Sequence, residues 1–182
     1  GIAEGTIYRY FGSKRDLLDE ILRRHYSIIF EEIEQTLLSI EGPSNRLRYI
    51  VHRILLMISE DRSMCRLRQT HVRQVDDERP SLSHDHNRRT ALLMKNEIKA
   101  GMADGSFRLD TSPSIVCYMI GGAVEITEYS FMKTGRPVDC DKVLESIWRT
   151  IQGGISASDA TAESLTGLVE RLEKAADRLV TV

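Results

Sequence analysis

Apolar residues recur at spacings of three and four along most of the chain, which is the period of an amphipathic helix, and the runs stop at glycine or proline. A short helix is expected over residues 3 to about 10, closed by Gly12. Ser13 can cap a second helix, with Asp16 three positions on as a carboxylate version of the capping box. Leu17, Leu18, Ile21, Leu22, Ile28, Ile29, Ile33 and Leu37 mark its apolar face, and Gly42-Pro43 lies beyond its end. Pro43 is suited to open a third helix, in which Leu47, Ile50, Val51, Ile54, Leu55 and Ile58 form a wide apolar side. Asp61-Arg62-Ser63 interrupts that pattern, and an arginine-rich helix follows over residues 63 to about 75. A charged loop leads to a helix over residues 81–103, carrying Leu92, Leu93, Ile98 and Met102. Pro113 opens a strongly apolar helix, and residues 139–152 form another, which Gly153-Gly154 should terminate. A polar stretch then leads into a last helix from about residue 162, where Leu165, Leu168, Leu172, Ala175, Leu179 and Val182 follow the seam of a coiled coil. The Val/Ile-rich runs neither alternate nor flank hairpin turns, so the fold class is all-α.

Composition narrows the function. The 182 residues suit one domain with a small appendage, and 41% hydrophobic content suffices for a core. The formal net charge is -2, so any nucleic-acid binding has to come from a local basic group. Cys65, Cys117 and Cys140 are odd in number and widely spaced, which fits a reducing, cytoplasmic compartment better than a disulfide scaffold. No apolar run is long enough to span a bilayer, and no membrane partner is expected. The chain begins at Gly1 without a signal-like segment, so it is expected to start inside a longer protein.

The opening residues carry the most chemistry. A short helix with Thr6, Tyr8, Arg9 and Tyr10 presents hydroxyls, a guanidinium and aromatic rings, while Ile7 and Phe11, four apart, hold it down. Gly5 lets a backbone approach a phosphate ribbon, and Lys14 can meet a phosphate beside the amides of the next helix. Apolar residues behind, donors in front and a cation at the rim are what a major-groove reading helix needs.

Gly5-Thr6-Ile7-Tyr8, Arg9, Tyr10-Phe11, Ser13-Lys14 and Leu17-Leu18 resemble the second half of the helix-turn-helix of the TetR family of bacterial repressors. The resemblance is dense over roughly twenty residues. It implies that Glu4, Gly5, Thr6, Tyr8, Arg9 and Tyr10 lie at or near DNA and that Lys14 holds a phosphate. The family places two further helices before this segment, and without them the chain alone should bind an operator weakly or not at all. The layout of the body is also similar to the family's. The resemblance thus implies a partial helix-turn-helix followed by a multi-helix ligand-binding and dimerisation bundle. The expected division is 1–40 for the rest of the reading head and connecting helix, overlapping the bundle, 41–154 for the bundle, and 155–182 for the linker and final helix.

In the body, Val143, Leu144, Ile147, Trp148 and Ile151 form a stripe wide enough for core and partner, and the resemblance tips it toward a homodimer interface. Gly121-Gly122 inside the apolar helix calls for compensation, either a close crossing at a dimer face or room for a ligand. Methionine suits adaptable apolar cavities. Met57, Met64, His71, Met94, Ile98, Tyr118, Met119, Gly122 and Ile126 are the candidate pocket residues on helices that surround the pocket in the family. Arg66, Arg68, Arg73 and His71 form either a positive rim for an acyl-CoA or another hydrophobic anion, or more simply a solvated face.

His84-Asp85-His86 is better explained as surface or helix-start residues than as a metal site, because residues two apart on a helix point to different sides. No nucleophile–base pairing, phosphate loop or paired-carboxylate motif appears, so no catalytic residue, metal or cofactor is expected. The leading expectation is a homodimeric, ligand-responsive repressor of a palindromic duplex operator. The alternative is a helical adaptor or sensor that uses its C-terminal helix and no DNA.

Overall fold

In the computed structural model, which describes residues 10–73 and 82–156, the chain forms α1 (Lys14–Leu37), α2 (Pro43–Glu60), α3 (Arg62–Arg73), α4 (Leu82–Ala103), α5 (Pro113–Thr134) and α6 (Cys140–Ile155). No strand occurs among the described residues, and an isolated bridge pairs Phe107 with Ser156. The all-α expectation is met. The expected helices at the two ends of the chain lie outside the described residues.

Local chemistry sets the boundaries. Ser13 Oγ accepts the Asp16 amide at 3.1 Å and donates to the Asp16 carboxylate at 2.8 Å, which caps α1 as its spacing predicts. Pro43 and Pro113 occupy first turns, where a missing amide hydrogen costs nothing. Gly135 ends α5 in the left-handed region at φ 69°, with its amide on the Phe131 carbonyl. Arg62, at the head of α3, donates to the Met132 and Lys133 carbonyls at 2.8 and 3.2 Å and closes the same helix end. Asp139 caps α6 through the Lys142 amide.

One expected boundary is wrong. Gly153-Gly154 does not terminate α6, which continues to Ile155. Ile155 is buried four positions after the buried Ile151, and its carbonyl accepts the Arg108 amide at 2.7 Å. Those tertiary contacts outweigh the roughly 1 kcal/mol that each glycine costs a helix relative to alanine.

The core is built around α2, which packs against α1, α3, α4, α5 and α6. Its Leu47, Ile50, Val51, Leu55 and Ile58 are almost wholly buried, each contributing about 1.5–3 kcal/mol relative to exposure. From α1, Leu18, Leu22, Tyr26, Ile29, Phe30 and Ile33 join the same continuous core, so the connecting helix is part of the body. Arg53, on α2, grips Glu32 of α1 with two donors at 2.9 and 2.7 Å and reaches Glu60 at 3.3 Å. The Phe107 ring fills the space beside Gly101, where a Cβ would lie 2.2 Å from a ring carbon.

The α6 stripe serves the core along one side. Leu144, Trp148 and Ile151 are buried within one chain, and Val143 and Ile147 are half-buried against the same core. Contact with α2 accounts for the core side of that stripe. On α5, Ile115, Tyr118, Met119, Ile126 and Tyr129 are exposed. No helix among the described residues is long and apolar enough to cross a membrane.

Candidate functional site

A cavity of about 480 Å³ opens between α2, α3, α4 and α5, with one wall from α1. Ile54, Met57 and Ile58 of α2, Met94 of α4 and Ile120 and Val124 of α5 supply its apolar surface. Tyr26 supplies the contribution of α1. Polar side chains gather where α3, α4 and α5 meet: Arg68, Gln69, His86, Asn87, Thr90, Glu125 and Glu128.

The polar end is organised by a buried ion pair. Arg68 is 5% exposed and donates to one Glu128 carboxylate oxygen from Nε at 2.9 Å and from Nη2 at 2.6 Å. Nη2 also reaches Cys65 Sγ at 3.2 Å, and that thiol donates to the Ile58 carbonyl at 2.9 Å. Burial, which outweighs the nearby Arg68 charge, pushes the Cys65 thiol up to about 11, so it stays protonated. Cys117 lines the cavity, and burial raises its pKa as well.

His86 is 8% exposed and stacks on Tyr26 with ring centroids 3.9 Å apart, while the Phe30 ring lies tilted against it at 5.1 Å. Burial first, then the positive charge of Arg68, His25 and Arg89, drives its pKa down to about 3, so the imidazole is neutral at pH 7. His25 is shifted downward chiefly by burial and next by Arg68. Arg68 Nη1, His86 Nδ1 and Thr90 Oγ1 are buried with no hydrogen-bond partner among the described residues.

Of the expected pocket residues, Met57, Met94, Tyr118 and Gly122 come together on this cavity. Four others do not. Ile98 is fully buried in the core, and Met64 packs partly buried against it. Met119 and Ile126 face outward, 52% and 69% exposed, because α5 turns that side away from the body. The His71 side chain lies outside the described residues, as does that of Arg73. Arg66 is exposed, in keeping with a solvated face, whereas Arg68 is not part of one, since Glu128 compensates its burial. His86 is likewise not a surface residue: His84 is exposed, and two positions on the ring turns inward onto Tyr26. Gly121 and Gly122 are exposed, and a Cβ at either would meet nothing within 4 Å, so no close helix crossing among the described residues explains them.

Sequence reasoning missed Tyr26, His86, Thr90 and Glu128. A signal was present: His86, Thr90 and Met94 are spaced by four and share one face of α4. Of the expected DNA-facing residues, Glu4, Gly5, Thr6, Tyr8 and Arg9 lie outside the described residues. Tyr10 and Lys14 are exposed at the N-terminal end of α1, and Phe11 is half-buried beside them.

An all-helical body with an apolar cavity, joined through one long helix to an exposed end carrying Tyr10 and Lys14, is the architecture of a ligand-sensing bacterial regulator. Residues 41–155 match the family described as "Tetracyclin repressor-like, C-terminal domain", and residues 1–21 match "Bacterial regulatory proteins, tetR family". The chain belongs to the TetR family. It is 23% identical over 159 residues to the HTH-type transcriptional repressor KstR2 of Mycolicibacterium smegmatis, covering 87% of this chain and 77% of that protein. The solved structure of FadR from Bacillus subtilis in complex with stearoyl-CoA superposes with a TM-score of 0.74 at 19% identity, covering 85% of this chain and 83% of the other. KstR2 of Mycobacterium tuberculosis, described as a ketosteroid transcriptional regulator, gives 0.71 at 22% identity over 87% and 81% of the two chains. These relatives are transcriptional regulators and not enzymes.

Proposed function

We propose that this chain is the sensing body and reading helix of a homodimeric repressor whose duplex operator is released or bound according to an apolar or acyl-type effector. The observation that carries this reading is Tyr26: it walls the cavity from α1, the helix whose other end bears Lys14 and, just before it, Tyr10. An occupant that displaces Tyr26 acts directly on the element that positions the reading head. Differential affinity for two placements of α1 is the coupling free energy that such a switch requires.

Glu4, Gly5, Thr6, Tyr8, Arg9 and Tyr10 are assigned to the major groove and Lys14 to a phosphate, on the strength of the family match over residues 1–21. The dimer is assigned to the outward side of α5. Ile115, Met119, Ile126 and Tyr129 follow helical spacing on that side, Tyr118 and Gly122 lie at its border with the cavity, and the bare backbone at Gly121-Gly122 gives a second helix room to approach. Two reading heads related by a two-fold axis suit palindromic half-sites.

The test is selection from a pool of random duplexes by the full-length gene product, with and without stearoyl-CoA. A palindromic pair of half-sites should be enriched, and the acyl-CoA should change its retention. Absence of any preference over random competitor would reject the repressor reading.

A further inference from the structure

The buried polar end of the cavity carries information about an occupant that the apolar walls do not. Resting on the effector-cavity reading above, we propose that the site where Arg68, His86 and Thr90 converge recognises one uncharged oxygen function, an alcohol or a carbonyl, at the end of an otherwise apolar effector, and discriminates against a free carboxylate.

Three observations support the assignment. First, Arg68 Nη1, His86 Nδ1 and Thr90 Oγ1 are buried polar atoms with no partner among the described residues, on side chains that line the cavity. Arg68 and His86 are themselves more than nine-tenths buried. Buried donors and acceptors are ordinarily satisfied, so three unsatisfied ones on side chains that line one cavity point to a hydrogen-bonding occupant. His86 and Thr90 are four apart on α4 and therefore stack on one face, while Arg68 reaches them from α3.

Second, the charge of this end is already balanced. Glu128 takes two of the Arg68 donors at 2.9 and 2.6 Å, which leaves Nη1 as a donor without an uncompensated charge behind it. His86 is neutral because burial and the Arg68 charge oppose its protonation. A carboxylate entering here would bring a net charge into a desolvated space beside Glu128, with Glu125 also on the lining. A carbonyl oxygen accepts from Arg68 Nη1 at no such cost. A hydroxyl can in addition donate to His86 Nδ1 or exchange a hydrogen bond with Thr90 Oγ1.

Third, Ile54, Met57, Ile58, Met94, Ile120 and Val124 give much of the remaining lining an apolar surface, while Gln69, Asn87 and Glu125 gather at the same polar end. Orientation is therefore set by the single polar end, as small-molecule sites commonly arrange it.

The experiment is titration calorimetry of the 182-residue chain with decanol, decanone, decanoate and decane, which share one apolar chain and differ only in the end group. Decanol and decanone should bind at least about tenfold more tightly than decanoate, the size of one well-made hydrogen bond against an uncompensated charge. Thr90→Val, which keeps the shape and removes the hydroxyl, should weaken decanol severalfold and leave decane unchanged. Glu128→Gln should release the Arg68 charge and turn the preference toward decanoate. If that variant does not fold, the ratio of decanol to decanoate in the unaltered chain decides alone. Tightest binding by decanoate, equal binding by all four, or binding by none overturns the proposal. No DNA is present in these titrations, so failure of the operator reading leaves their outcome untouched.

Discussion

The last two described helices, α5 and α6, are both rich in apolar residues, yet they use them in opposite ways. In α6 the apolar residues lie on a narrow stripe, and Leu144, Trp148, Ile151 and Ile155 disappear into the core against α2. In α5 apolar residues surround the helix. Val116, Cys117 and Ile120 face inward, the side toward α3 and α4 closes the cavity and presents Glu128, and the rest is left uncovered. A sharply one-sided helix has a single place to go, whereas a helix that is apolar all round has more apolar surface than one body can bury. Here the broader helix carries the cavity wall and the open face.

The largest effect that tests this contrast is Trp148→Ala. It should cost about 3–5 kcal/mol, read as a lowered midpoint in urea, because the side chain is core and leaves a cavity. A change in oligomeric state at unaltered stability would instead return Trp148 to the interface.

Acid should act on the cavity side. Burial holds the folded-state pKa of His86 down at about 3, below the ordinary histidine value of 6.5, so from about pH 6.5 downward the unfolded chain binds a proton that the folded chain refuses. Stability contributed by neutral His86 is therefore complete above pH 6.5 and is lost as the pH falls toward 3, by up to about 1.4 kcal/mol per pH unit. Thermal melts between pH 7 and pH 5 should show a steep decline, and His86→Gln should flatten it. An identical slope in the variant would place the titration elsewhere.

Gly122→Ala should raise the stability of the monomeric body by up to about 1 kcal/mol, since an added Cβ meets open space and alanine is the better helix former. The same change should weaken the dimer if two α5 helices approach closely there, so melting and sedimentation would move in opposite directions. The smallest effect on the fold is expected of Ile126→Glu, within about 0.5 kcal/mol for an exposed position. Its effect on assembly should nevertheless be the largest of the set, with sedimentation at the monomer mass. A dimer that survives both changes would remove α5 from the interface.

Much of the scaffold was legible in the chain. Ser13, Pro43, Pro113, Gly135 and Asp139 set helix ends through local geometry that their immediate neighbours complete, and the α2 stripe from Leu47 to Ile58 could face only a core. The reading-head motif was legible for a similar reason, because its residues are close neighbours in the chain. The cavity was not. Arg68 could be taken for a surface arginine until Glu128, sixty positions away, was seen to accept two of its donors. His86 belonged to a helix-start histidine pair until Tyr26 stacked on it.

The end of α6 shows the same division. Two adjacent glycines favour a stop by every local rule, and the helix passes through them because the Ile155 carbonyl meets the Arg108 amide and its side chain is buried. Capping, periodicity and backbone preference depend on residues a few positions apart, so the sequence by itself determined the helices and their apolar faces. Which of those faces is covered, and which polar atoms are buried without a partner, depends on segments brought together from across the chain. Only the tertiary structure decided that, because burial and pairing of distant groups are properties of the packed body rather than of any stretch of sequence.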